Sequence, residues 1–249
     1  MSHTLMAGIR TVILVPLFFL FTLLMSLTVI IVGRFAPDSP RVEGLIQTWS
    51  RLFLRVPPVD YASSGHENVV PGGQYVVVSN HLSNFDIPLL FRTVPLRIRF
   101  LAKKEIYKIP LVAQAMDTVG IVKIDRQSGM STHEAINAAV AASRARGYSL
   151  IVFPEGTRSR TGDMGGFKKG AFRIAVDGQL PILPVVINGT FAVNPPGKKM
   201  IYPGHADVRI LEPIPTTGMA RKDVKALMGA TREQMVAVYA SMRADRDGV

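Results

Sequence analysis

Cysteine is absent from all 249 residues. That absence excludes disulfide frameworks, Cys-ligated zinc modules, cysteine nucleophiles and any thioester formed on the protein itself, and it leaves the redox state of the compartment unread. Carboxylates are scarce beside cations, 18 Asp and Glu against 29 Lys and Arg, for a formal charge of +11. A chain so basic is drawn to polyanions: nucleic acid, anionic lipid surfaces or phosphorylated substrates. Aromatics make up only 8%, with one Trp, and most Phe lie in apolar segments and strands rather than in stacking runs, which argues against a nucleic-acid surface. No G-x-x-x-x-G-K-[ST] occurs, so a P-loop is not available, and no His/Asp/Glu grouping has metal-ligand spacing. The eleven Met read as adaptable core filler. With 48% apolar residues, the chain is long enough to bury a sizeable core and is not disordered.

What the chain has in excess is one apolar run. Between Arg10 and Arg34, 23 consecutive residues, Thr11 to Gly33, carry no charge. As a helix they would extend roughly 35 Å, against a hydrocarbon core of about 30 Å. The run exceeds the ~7 to 15 apolar residues of a signal peptide, and no small-x-small cleavage site follows it. Arg34, Arg41, Arg51 and Arg55 follow the run and only Arg10 precedes it, so the positive-inside bias places the bulk of the chain in the cytoplasm, on a cell membrane. Residues 45 to 56 put Leu45, Trp49, Leu52, Phe53 and Val56 at helical spacing, which suits an interfacial helix and equally a helix packed on the domain. If the two helices pair, the apolar run can dip into one leaflet rather than cross.

Pro57-Pro58 breaks this pattern, which divides the chain into membrane-associated helices, 1–57, and a second unit, 58–249. Asp60 to Gly73, rich in Ser, Gly and His, reads as a connection. Short apolar runs then read as strands at 75–79, 98–102, 120–124, 149–153, 182–187 and 207–210, with helical patterns at 86–92, 106–117, 132–146, 171–177 and 221–243. Alternation of this kind predicts an α/β domain with a largely parallel central sheet flanked by helices. Runs such as VVV at 76–78 and LIVF at 150–153 lack alternation and suit central strands covered on both faces.

Two places carry candidate chemistry. His81 follows the strand YVVVS directly, where ligands collect in open α/β sheets, whereas the other four His sit at the terminus, in polar stretches or at a helix start. Asp86 lies five residues on. In one continuous helix the two side chains would point roughly 140° apart, so they meet only if the chain bends, and Ser83, Asn84 and Pro88 favour a bend there. A carboxylate on one ring nitrogen would leave the other as a base toward a hydroxyl; the alternative is an Asp that caps a helix beside a loop His. The second place follows SLIVF, in Phe153-Pro154-Glu155-Gly156-Thr157-Arg158-Ser159-Arg160, ahead of a Gly-rich basic loop with Lys168 and Lys169. Arg158 and Arg160 with nearby backbone N–H groups suit a phosphate, and Glu155 could orient an Arg or a substrate hydroxyl. A surface turn with an internal Glu-Arg pair is the plainer alternative. Asn188-Gly189-Thr190 matches a glycosylation sequon but reads as a turn.

NHLSNFD after one strand and FPEGTRS after another together resemble the glycerolipid acyltransferase family, most closely its 1-acylglycerol-3-phosphate acyltransferases. AKKEIYKIP at 102–110, GIVKIDR at 120–126, FKKGAF at 167–172 and LPILPVVING at 180–189 are similar to further family blocks in order, so the resemblance spans about residues 75 to 190. It implies His81 as general base, Asp86 as its orienting partner, and Glu155, Gly156, Thr157 and Arg158 in the acceptor site. Lys103 and Arg126 would help hold the acceptor phosphate, with Lys104 adjoining Lys103. It further implies transfer of a fatty acyl chain from acyl-CoA or acyl-carrier protein to 1-acylglycerol-3-phosphate, giving phosphatidic acid, with no cofactor and no metal. The partners expected are therefore the lysophospholipid acceptor, the donor and membrane lipids. The same chemistry on glycerol-3-phosphate, another lysophospholipid or a glycolipid precursor is an alternative, as is a non-enzymatic binder of anionic lipid. Any ruler for chain length would be an apolar groove.

Overall fold

The structure, a computed structural model, describes residues 3–36, 38–56, 58–103, 106–124 and 140–247. The charge-free run lies inside helix α1 (His3–Phe35), whose 33 residues extend about 50 Å. Helix α2 (Pro40–Arg55) folds back beside it and starts on a proline, which needs no hydrogen bond for its missing N–H in a first turn. Of the two placements left open for α2, it adopts the packed one: Val42, Ser50 and Leu54 are buried, and Gln47 donates to the Phe91 carbonyl at 2.6 Å. The turn between α1 and α2 is held by charge. Asp38 accepts from Arg146 at 2.8 Å and from Arg97 at 3.3 Å, and Glu43 pairs with the fully buried Arg99. A buried guanidinium without that carboxylate would be strongly destabilising.

Among the described residues seven strands form one sheet: β1 (Val59–Ser64), β2 (Val76–Ser79), β3 (Ile98–Lys103), β4 (Val122–Ile124), β5 (Ser149–Val152), β6 (Ile182–Asn188) and β7 (Gly204–Ile210). Their order is β1-β7-β6-β2-β5-β3-β4; neighbours are parallel except β6 and β7, which are antiparallel. The expected mixed architecture with a largely parallel sheet is present. Five strands, β6, β2, β5, β3 and β4, therefore end on one side, and β2 is the central strand of the seven. Every residue of β2 is buried, Val76 and Val78 in the cluster on one face and Val77 in that on the other, as an unalternating apolar strand requires.

Helix α3 (Asp86–Thr93) packs on the second face beside α2, and α4 (Val112–Val119) packs against α1 through Val29, Ala115 and Met116. On the first face lie α5 (Gly170–Asp177) and, after the single turn α6 (Thr190–Val193), the C-terminal α7 (Val224–Asp247).

Three expectations need correction. Residues 60–64, read as part of a connection, belong to the edge strand β1 on β7; the half-exposed pattern with Asp60, Ser63 and Ser64 hid it. The helix expected over 106–117 is split, because Pro110 cannot continue one and Leu111 takes a positive φ of 64°, leaving a 3-10 turn at 106–108 and then α4. The strand expected from 120 starts at Val122, since Gly120, with φ of 87°, ends α4 in the left-handed region. Of the helix expected over 132–146, the described part, 140–146, is helical.

Candidate active site

The chain leaves β2 without letting go of the sheet. The Asn80 side chain continues the pairing, donating to the Ile187 carbonyl and accepting from the Ile187 N–H, both at 2.8 Å. His81 comes next, at the edge where the five parallel strands end. The Asp86 carboxylate, wholly buried, then pulls the loop into a bend: its Oδ2 accepts from the N–H of Leu82 at 2.7 Å, from that of Ser83 at 2.8 Å and from His81 Nδ1 at 2.8 Å. Its Oδ1 accepts from the Thr190 hydroxyl at 2.6 Å. Four donors thus meet one buried charge, each charge-assisted bond worth roughly 1.5 to 3 kcal/mol. Asp86 is both a loop former and the histidine's hydrogen-bond partner; it does not cap the helix, because its backbone donors are Leu82 and Ser83, ahead of α3, whose N-cap is Phe85 with no side-chain cap bond.

The ring of His81 is fixed a second way. It stacks on Phe153 with centroids 4.0 Å apart and planes 15° from parallel. Nδ1 donates to Asp86, so in the neutral tautomer Nε2 carries the lone pair. Among the described residues Nε2 has no hydrogen-bond partner, and the side chain keeps 18% exposure. The arrangement is an imidazole held at two points, with Nε2 left unbonded among the described residues.

The second loop, after β5, meets the first directly. Glu155 Oε1 accepts from the His81 N–H at 2.9 Å and Oε2 from the Gly165 N–H at 2.7 Å, while the Ser159 N–H donates to the His81 carbonyl at 2.8 Å. Glu155 is only 7% exposed; burial pushes its carboxyl upward, and the two backbone N–H groups pull it part of the way back. Its place is therefore a brace between loops, not the orientation of an arginine. Gly156 takes φ of 75°, the left-handed region that favours glycine, and Lys168 Nζ lies 2.8 Å from where a Cβ would sit. Thr157 and Arg160 are exposed. Arg158 Nη1 donates to Asn84 Oδ1 at 2.8 Å, which sets its guanidinium beside the first loop. Lys103 ends β3, two strands from β2; Arg126 lies outside the described residues.

Sequence reasoning missed several supports. Thr190 follows Gly189, whose φ of 98° makes the turn expected at the sequon, but nothing local reveals that its hydroxyl reaches Asp86. The C-terminal helix also reaches the site: Tyr239 donates to the Gly162 carbonyl at 2.5 Å and Arg232 to that of Gly165 at 3.1 Å, so α7 holds the loop whose N–H holds Glu155. Beside the site, two apolar cavities of about 320 and 260 Å³ lie beneath α1, and Thr22 and Trp49 line both. The Trp49 indole N–H donates to the Thr22 hydroxyl at 3.1 Å, and Asn84, the partner of Arg158, lines the second. Among the described residues no group of three or more His, Asp or Glu could hold a metal ion.

The family model described as Acyltransferase matches residues 61–188. The human 1-acyl-sn-glycerol-3-phosphate acyltransferase alpha is 32% identical over 184 residues, which is 74% of this chain and 65% of that protein. The 1-acyl-sn-glycerol-3-phosphate acyltransferase of Saccharomyces cerevisiae is 33% identical over 180 residues, 72% of this chain and 59% of the yeast protein. The chain thus spans a little under two thirds of these relatives. A crystal structure of the 1-acyl-sn-glycerophosphate (LPA) acyltransferase PlsC from Thermotoga maritima superposes with a TM-score of 0.83 at 26% identity, covering 98% of each chain.

Proposed function

The chain belongs to the acyltransferase family, and from that premise we propose that it transfers a fatty acyl chain from acyl-CoA or acyl-carrier protein to the free hydroxyl of 1-acylglycerol-3-phosphate, giving phosphatidic acid. The observation that carries this reading is the His81–Asp86 pair, 2.8 Å apart, with the imidazole stacked on Phe153 and Nε2 turned outward. Nε2 takes the proton of the acceptor hydroxyl as its oxygen attacks the thioester carbonyl. The tetrahedral intermediate collapses, the C–S bond breaks, and the thiolate leaves to recover the proton from the imidazolium. Through this cycle Asp86 stays ionised and keeps Nδ1 protonated. Arg158, fixed beside the same loop by Asn84, supplies a cation for the acceptor phosphate, and Lys103 and Arg126 stay candidates for the same phosphate. The names borne by the human and yeast relatives support this acceptor.

The acceptor and its product are bilayer lipids, and α1 brings the site to them. Its segment Thr11–Phe35 is long and apolar enough to cross a membrane. Yet the domain flanks it almost from end to end, from the Thr11 hydroxyl on the Ile201 N–H at 3.2 Å to Gly33 against Thr118. A helix crossing the bilayer would drag that polar domain into hydrocarbon, so the reading places α1 within one leaflet, with Val12, Leu17, Leu20 and Leu24 in lipid and the domain on the cytoplasmic side. Because the chain lacks cysteine, single-cysteine labelling is clean: with the domain outside sealed vesicles, Gly8→Cys and Arg41→Cys should both react with an impermeant reagent. Labelling of Arg41→Cys alone would mean that α1 crosses.

Substrates are tested by a donor-by-acceptor matrix with the protein in lipid nanodiscs and mass spectrometry of products. Phosphatidic acid should dominate. Faster acylation of glycerol-3-phosphate or of a zwitterionic lysophospholipid would overturn the choice of acceptor.

A further inference from the structure

Away from the catalytic pair, on the face of the sheet opposite α2 and α3, a cavity of about 250 Å³ opens between α5 and the start of α7. Among the described residues five cations line it, Lys169, Arg173, Arg221, Lys222 and Lys225, together with Val224. Two carboxylates stand nearby. Asp177 pairs with Arg221 through two contacts of 3.1 Å, and Asp223 is occupied by the Ala220 N–H at 2.8 Å. Cations held this close repel one another, and an external polyanion is what the excess of positive charge attracts. We propose that this cavity holds the phosphorylated nucleotide end of a coenzyme A donor. The inference rests on the acyl-transfer reading above and adds which end of the donor is gripped, and where.

Position favours that occupant. Lys169 follows Lys168, whose ammonium lies over Gly156, the residue after the glutamate that braces His81. From Lys169 the charges run down the exposed side of α5 to Arg173, four residues on, and then to the Arg221–Asp177 pair. The eight residues of α5 extend roughly 12 Å. A pantetheine arm, about as long as four extended residues, reaches roughly 14 Å, longer than α5 itself, which runs from beside Lys168 to the Arg221–Asp177 pair.

The membrane is a poorer occupant, because the helix that meets lipid packs beyond the other face and the β4 edge of the sheet. An acidic carrier protein would also be attracted, but a specific protein interface needs about 800 Å² per partner, whereas these cations converge on a small concavity.

The test compares full-length protein with Arg173→Glu/Lys225→Glu on two donors, acyl-CoA and the same acyl chain on pantetheine, which lacks the nucleotide. The expected result is a roughly tenfold or larger loss in kcat/KM for acyl-CoA relative to acyl-pantetheine, carried by the donor's KM and not the acceptor's. In parallel, calorimetry with free coenzyme A should show binding by the parent that weakens in dephospho-coenzyme A, in the variant and in higher salt. Equal losses on both donors, or a rise in the acceptor's KM, would overturn the inference. The milder Arg173→Gln/Lys225→Gln should move the ratio in the same direction, which separates charge from misfolding; an unchanged ratio there, with coenzyme A binding intact, also overturns it. The two readings fail apart: if the parent binds coenzyme A through this cavity but does not acylate 1-acylglycerol-3-phosphate, only the acceptor assignment falls.

Discussion

The loop after β2 and the loop after β5 lie against each other, yet they are built on opposite terms. In the first, Asn80, Leu82, Ser83 and Asp86 are fully buried, and Asp86 alone gathers four donors. In the second, Thr157 and Arg160 are exposed, and Arg158 is tied by one hydrogen bond to Asn84. On the proposed reading, a base must be aimed within a fraction of an ångström, which the over-determined first loop would supply. A cation meeting the phosphate of a mobile lipid would gain from reach, which the open second loop would allow. Glu155 is the seam, one oxygen on each loop's backbone.

That contrast can be broken most severely at Asp86. Asp86→Asn removes the charge that collects three donors on one oxygen, so turnover should fall about a hundredfold and stability by roughly 1 to 3 kcal/mol. Steady-state kinetics and denaturant unfolding check the two effects. Turnover within twofold of the parent would mean that the ring needs no such partner.

Arg158→Ala attacks only the open loop. The apparent KM for the phosphorylated acceptor should rise about tenfold, the effect of one partly solvated charged contact, with little change in turnover or melting temperature. An unchanged acceptor KM would remove Arg158 from the phosphate site. If turnover fell as far as with Asp86→Asn, the two loops would not divide their work as proposed.

The smallest effect belongs to the seam. Because burial raises the Glu155 carboxyl, the folded state holds that proton to higher pH than the unfolded state does. Its contribution is therefore fully present below the ordinary Glu range near 4 and is lost as pH rises through the raised value. Glu155→Gln does not titrate. The stability gap between parent and variant should narrow from about pH 4 upward, by melting at each pH; a gap that widens would mean that the carboxyl is held down instead.

How much of this was legible in the sequence follows from how far each signal travels. VVV and LIVF report burial on both faces through their own side chains, so β2 and β5 were readable, and the strand-end position of His81 with them. The bend was readable too, because Ser83, Asn84 and Pro88 carry turn chemistry themselves. Partners chosen by topology were not: Thr190 reaches Asp86 across 104 residues, and Tyr239 reaches Gly162 across 77. Glu155 shows the limit within one motif, since only the assembled sheet brings the N–H groups of His81 and Gly165 to its two oxygens. β1 escaped because an edge strand with one wet side carries half the apolar signal of a central one.

The most direct measurement of the central claim is acyl transfer by His81→Ala, at saturating donor and acceptor and with melting followed alongside. Removing the imidazole while Asp86 keeps its two backbone donors and Thr190 should leave a folded protein whose turnover is lower by ~10² to 10⁴. A folded His81→Ala that acylates 1-acylglycerol-3-phosphate at the parental rate would contradict it.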